Sequence, residues 1–255
     1  MSESEMHSEQ VAAHGLSTRV DAGVLTLSFE YGELNPALVR ALHAELEAKV
    51  ADELVRVVVL CSATGGVRGA MAPGVCGDLV RLLRDLPQPV IAKLRGAWHG
   101  SVLALVAACD IVYVADDAEF KLDEANNGTF MSGPVGQAVS SVMTRRSVSQ
   151  HALDGQPFNG IEADRNGLAT LSFPATALDR ETDTLVAGLL EKDPLALQFT
   201  KQTLRHVPGM GWDAVLDYNA AKFAQLKSMQ AGRPSARAAA VESFLAGTSK
   251  PGLGS

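Results

Sequence analysis

Hydrophobic positions change their period from one stretch of this chain to the next. Residues 16–29 hold two short apolar runs around Asp21-Ala22-Gly23, which predicts a β-hairpin. Asn35-Pro36 joins a capping residue to a first-turn proline. Leu38, Leu42, Leu46 and Val50 then recur at helical spacing. Residues 55–60 read as a buried strand, residues 61–77 as a small, glycine-rich connection and residues 78–86 as a short helix. Residues 90–94 are apolar and of strand length. Gly96 and Gly100 punctuate a tight turn, and residues 101–108 are too small and apolar for an exposed helix. A β-branched and aromatic strand at 111–115 stops at Asp116-Asp117.

Beyond Gly133 the pattern turns helical, over 135–143 and 148–153, with one more short strand at 168–173. Helices are predicted at 178–191, 195–206, 212–230 and 235–245. Alternating strand and helix argues for an α/β fold of repeated β-β-α or β-α units, followed by a helical region. Residues 1–15 are polar and predicted to be disordered. The expected division is a tail over 1–15, a core over 16–190 and a C-terminal helical region over 191–255.

Composition narrows the function. The chain has 255 residues, 47% of them apolar, enough for a sizeable core. A net charge of −7, without a Lys/Arg cluster, argues against a nucleic-acid partner. Cys61, Cys76 and Cys109 lack metal-ligand spacing and read as buried free thiols, so no metal is expected. The acidic N-terminus is no signal peptide and no apolar run reaches membrane-spanning length. A cytoplasmic protein without a membrane partner is expected.

The stretch from Pro89 to Gly128 carries the chemistry. A buried helix that starts on a glycine turn aims main-chain N–H groups at whatever precedes it, a suitable place for an oxyanion. A downstream acid, Glu124, can move protons beside it. The stretch resembles the crotonase (enoyl-CoA hydratase/isomerase) superfamily, whose pattern runs P-V-I-A-A-V-N-G, four residues, G-G-G, then C-D, then F-x-x-P-E. This chain has P-V-I-A-K-L-R-G, Gly100-Ser101-Val102, Cys109-Asp110 and Phe120-Lys-Leu-Asp-Glu124. With weaker patches on both sides the likeness covers roughly residues 16–225. It implies a spiral β-β-α core with a C-terminal helical region that trimerises, in a homotrimer or a hexamer. The C-terminal part is similar to the hydroxycinnamoyl-CoA hydratase-lyase branch, through Leu189-Leu-Glu-Lys-Asp-Pro194, Trp212 to Lys222, and Phe244 to Leu253.

Family enzymes hold a thioester carbonyl between two main-chain N–H groups. By that resemblance the donors are Ser101, at the middle glycine of G-G-G, and Val75, in Ala70-Met71-Ala72-Pro73-Gly74-Val75-Cys76. Gly74, Gly100, Trp98 and Ser132 are candidate pocket residues. The first family glutamate is replaced by Ala104, and the second matches Glu124. His99 is a candidate second proton carrier, or a buried core histidine. Asp110 reads as structural. The branch's catalytic tyrosine falls at Ala220, two residues from Tyr218 and on another side of the helix.

These features imply an acyl-thioester enzyme that stabilises an enolate and uses one carboxylate for isomerisation, dehydration or decarboxylation. A non-catalytic partner or scaffold subunit, and a biosynthetic C–C lyase or cyclase, are the alternatives. No prosthetic group is expected. Coenzyme A or pantetheine would be the substrate's carrier, on an acyl-CoA or a carrier-protein thioester. The segments that would wrap the nucleotide end of coenzyme A are short, so weak binding of free CoA esters is expected. With Ala104 in place of an acid, and Ala220 in place of the tyrosine, negligible hydration of crotonyl-CoA and negligible cleavage of feruloyl-CoA are expected.

Overall fold

A computed structural model describes residues 10–231, apart from 13, 14, 30, 31, 53, 63, 64 and 70. The helix expected at 235–245 and the segment from Phe244 to Leu253 lie outside the described residues.

The chain begins with β1 (Gln10–Ala12), β2 (Leu16–Asp21) and β3 (Val24–Phe29). The β2–β3 hairpin closes Asp21 on Val24, with Ala22 and Gly23 at φ of 46° and 85°. Two consecutive positive φ values suit the right-handed twist of paired strands. Within the stretch expected to be disordered, Gln10–Ala12 pair with β2, Gln10 opposite Thr18, and residues 1–9 lie outside the described ones. An open strand edge presents unpaired amides and carbonyls that a preceding segment can satisfy.

The chain then repeats one pattern. β4 (Gly32–Glu33) leads to α1 (Pro36–Val50); β5 (Val57–Ser62) and β6 (Val67–Gly69) lead to α2 (Pro73–Asp85). β7 (Val90–Leu94) and β8 (Ala97–Gly100) lead to α3 (Leu103–Ala108). β9 (Ile111–Ala115) and β10 (Glu119–Lys121) lead to α4 (Pro134–Val142) and α5 (Arg145–Asp154). β11 (Phe158–Asn159), α6 (Gly160–Asn166) and β12 (Leu171–Phe173) complete the sheets, and α7 (Leu178–Leu190) follows. The odd-numbered strands from β3 to β9 join a seven-stranded sheet in the order β1-β2-β3-β5-β7-β9-β12. The shorter partners form a second sheet, β11-β10-β8-β6-β4. Each β-β-α unit thus adds one strand to each sheet, the expected spiral.

Local chemistry accounts for the elements. Asn35 caps α1 by accepting from the N–H groups of Ala37 and Leu38 at 3.0 and 2.9 Å. Leu38, Leu42 and Leu46 bury their stripe against the core. α2 begins at Pro73, five residues before the predicted start, because a proline at the first helical position is preorganised for a helix. The segment between Gly96 and Gly100 is the strand β8 rather than a continuous turn. Asp179 in α7 holds Lys93 at 2.8 Å and Arg95 at 2.9 Å. The Arg95 and then the Lys93 hydrogen bonds pull its carboxyl down to about 2.

The chain divides into two compact units, Met1–Val186 and Ala187–Ser255, with the boundary inside α7. The second unit contains α8 (Pro194–His206), capped by Asp193, and α9 (Trp212–Gln230). Lys222 reaches from α9 over the Phe199 ring at 5.3 Å and donates to Gln202 at 3.1 Å.

Candidate active site

Three successive turns of the spiral end at one place. β6 runs parallel to β8 with Gly69 opposite Gly100, and β8 runs parallel to β10 with His99 opposite Lys121. The C-terminal ends of the three strands therefore lie side by side. A cavity of about 240 Å³ sits off that edge. Gly69 and Met71 line it after β6, Gly100 and Ser101 after β8, and Asp123, Glu124 and Asn127 after β10. Pro73 and Cys76 from the first turn of α2 form another wall, and Ser132 and Val135 line it where α4 begins.

Two glycines allow these loops to meet. Gly100 has φ of +75°, and a Cβ there would lie 3.1 Å from the Gly69 carbonyl oxygen and 3.3 Å from Asp123 Oδ1. Gly133 has φ of +62°, and its Cβ would lie 2.8 Å from that of Pro73. The starts of α2 and α4 are thereby brought together at the cavity. The first N–H groups of a helix lack internal acceptors and carry partial positive charge, which favours an anion there. Ala72, which precedes α2, offers no side-chain cap.

Ser101 is buried, and its hydroxyl is occupied. Oγ accepts from the Met71 N–H at 2.7 Å and donates to the Gly69 carbonyl at 3.2 Å. The side chain is thus a brace between the loops after β6 and β8.

Glu124 opens a tight turn in which its carbonyl accepts from the N–H groups of Asn127 and Thr129. Asn126 pins that turn by donating to the Gly155 carbonyl at 2.9 Å. Both carboxylate oxygens of Glu124 are buried without a hydrogen-bond partner among the described residues. Burial pushes its carboxyl above the ordinary 4.5, its own main-chain N–H offsets part of the rise, and the Asp123 carboxylate adds to it. Such a shift makes the carboxyl hold its proton more tightly than one in water, a property suited to proton exchange. Cys76, also in the wall, is driven by burial up to about 11, so its thiol stays protonated at neutral pH.

Other predicted residues lie elsewhere. Side chains alternate along β8, and the Trp98 ring turns into the core against Phe29 while its Nε1–H donates to the Arg95 carbonyl at 2.8 Å. His99 takes the opposite face and pairs with Glu119 at 2.7 Å, outside the cavity lining. Gly74 and Val75 occupy the first turn of α2, but the cavity draws on their neighbours Pro73 and Cys76. Ala104 is fully buried in α3. The Asp110 carboxylate accepts from the Val90 N–H at 2.8 Å. Tyr218 lies in the second unit, its hydroxyl 3.5 Å from His206 Nδ1. Asp123 was not among the predicted residues, yet it faces the cavity beside Gly100.

The sequence profile of the enoyl-CoA hydratase/isomerase family matches residues 70–242. The chain belongs to the enoyl-CoA hydratase/isomerase family. It is 31% identical over 174 residues to the hydroxycinnamoyl-CoA hydratase-lyase of Pseudomonas fluorescens, covering 68% of this chain and 62% of that protein. It is 32% identical over 140 residues to the peroxisomal Delta(3,5)-Delta(2,4)-dienoyl-CoA isomerase of Arabidopsis thaliana, covering 54% of this chain and 50% of that one. The chain thus spans about half to three fifths of these curated relatives. Its fold matches that of the Mycobacterium smegmatis enoyl-CoA hydratase at a TM-score of 0.79 and 24% identity, over 92% of this chain and 97% of the other. The family's crotonase fold is therefore shared along most of the chain. Among the described residues no helix is long and apolar enough to cross a membrane, and no cluster of three potential ligands could hold a metal ion.

Proposed function

We propose that this chain is an acyl-thioester enzyme that forms an enolate and moves protons with Glu124. The observation that carries the reading is the Glu124 carboxylate, buried in the cavity wall with neither oxygen hydrogen-bonded among the described residues. The thioester carbonyl would rest against the main-chain N–H groups of Ser101 and Val75. Negative charge that develops on that oxygen is stabilised there more in the transition state than in the ground state, typically by roughly 3–4 kcal/mol per donor. The starts of α2 and α4 add their partial positive charge to the same region. Glu124 accepts a proton from the α- or γ-carbon and returns it to another position, the chemistry of isomerisation, dehydration or decarboxylation.

Coenzyme A or pantetheine serves as carrier, and no prosthetic group takes part. The relatives whose names mention CoA esters support this substrate class. The assembly is a homotrimer or a hexamer, formed through the helical region.

The test is solvent-deuterium exchange into crotonyl-CoA, followed by NMR. Wild-type protein exchanges γ-protons, and Glu124→Gln abolishes exchange while circular dichroism stays unchanged. Undiminished exchange in Glu124→Gln would reassign the proton carrier. Absence of exchange in the wild type would leave the non-catalytic partner or scaffold subunit as the better reading.

A further inference from the structure

We propose that Asp123 is a second catalytic carboxylate, acting with Glu124 at the cavity to hold and activate water. The pair would let the enzyme add water to an α,β-unsaturated acyl thioester. This inference rests on the acyl-thioester reading above and extends it from proton transfer to hydration.

Asp123 and Glu124 leave β10 in succession, and both line the cavity. The position of Asp123 is set by Gly100, whose missing side chain leaves Oδ1 within 3.3 Å of where a Cβ would stand. The carboxylate therefore overlooks the Gly100–Ser101 segment, where the thioester carbonyl is proposed to lie. Among the described residues no hydrogen bond or ion pair occupies the Asp123 side chain. Its carbonyl accepts from the Asn127 N–H at 3.2 Å, which fixes the backbone of the turn. Ala104, where an acid was absent from the sequence pattern, is sealed inside α3 and contributes nothing to the cavity. The second acid that hydration requires is thus supplied from a different loop. With Asp123 in that role, hydration would not depend on an acid at position 104.

The two carboxyl groups divide the work. The Asp123 side chain takes a proton from water as the water oxygen bonds to the β-carbon. The double-bond electron pair moves to the thioester carbonyl, giving the enolate. Protonated Glu124 then gives its proton to the α-carbon as the carbonyl re-forms. The proton left on Asp123 passes to Glu124 through the next water, and both groups return to their starting states. Burial suits Glu124 to the acid role, because a carboxyl removed from water holds its proton more tightly. Two neighbouring carboxyls in unlike surroundings are a common basis for such a division.

The test uses crotonyl-CoA with two readouts on one preparation, absorbance loss for hydration and NMR for γ-deuterium exchange. Wild-type protein performs both. Asp123→Asn lowers hydration about 10²–10⁴-fold, the usual loss on removing an acid–base partner, and lowers exchange by far less, so the ratio of hydration to exchange falls. The two wild-type rates also respond oppositely to pH. Hydration falls and exchange rises as Glu124 loses its proton, since one needs the acid and the other the base. A merely structural Asp123 would not separate the two activities in Asp123→Asn. Exchange without hydration in the wild type, hydration by Asp123→Asn at the wild-type rate, or equal loss of both activities in Asp123→Asn would each overturn the proposal and leave the one-acid reading standing. Neither activity in the wild type would remove both readings together.

Discussion

Ser101 stands where the family pattern has a glycine, and its hydroxyl serves two main-chain groups of the loop that ends β6. Removing it would leave the Met71 N–H and the Gly69 carbonyl without that partner at a part-buried site. Ser101→Ala should therefore cost about 1–3 kcal/mol, read as a lower urea midpoint. A midpoint equal to wild type would show that water replaces the hydroxyl at no cost. Glu124 makes a prediction of the opposite sign. Its folded-state pKa is raised, so its contribution to stability is full below the unfolded value of 4.5 and is lost as pH rises through the folded value. Glu124→Gln is uncharged throughout. Thermal unfolding should show it more stable than wild type at neutral pH, with the advantage vanishing below pH 4.5. A less stable variant at neutral pH would mean that the native carboxylate has a partner.

At the scale of elements, the cavity depends on how closely α2 and α4 approach. Gly133 sets that distance through its left-handed conformation and its contact with Pro73. Gly133→Ala should cost about 1–3 kcal/mol from backbone strain, before any movement of α4 is counted. Calorimetry would check it, and an unchanged melting temperature would show that the helix start relaxes freely. Elements with a strong local signal were legible in the sequence: the Ala22-Gly23 hairpin, the Asn35 cap and the apolar strand at β7. The early start of α2 was signalled by Pro73 but masked by the surrounding small residues. β4, β10 and β11 carry two or three residues each, too few for a period to show. Ser101, Glu124 and Ser132 could be named from the motif alone, and all three line the cavity. For Trp98, adjacency to the motif says nothing about which face of β8 a residue takes. Asp123 escaped notice because the motif has a proline there, and only the β8–β10 pairing and the missing side chain of Gly100 bring its carboxylate to the cavity.

For the whole molecule, α9 poses the question of association. None of its residues is buried, and Trp212, Leu216 and Phe223 are exposed at 78%, 54% and 61%. A 19-residue helix without a buried face calls for a covering surface. We predict a trimer or hexamer by light scattering, and that Leu216→Asp combined with Phe223→Asp shifts it toward monomer. A wild-type monomer at micromolar concentration would refute this. The spiral has a different consequence, for how such a site changes over time. Because β6, β8 and β10 finish side by side, segments far apart in sequence become neighbours around one small volume. A functional group lost from one rung can be supplied by the next without altering the frame that joins them. On the proposal made above, Ala104 and Asp123 would be such a pair, with the acid delivered from the rung after β10. Chemistry in this architecture is set by location in space, and more than one rung can deliver a side chain to it.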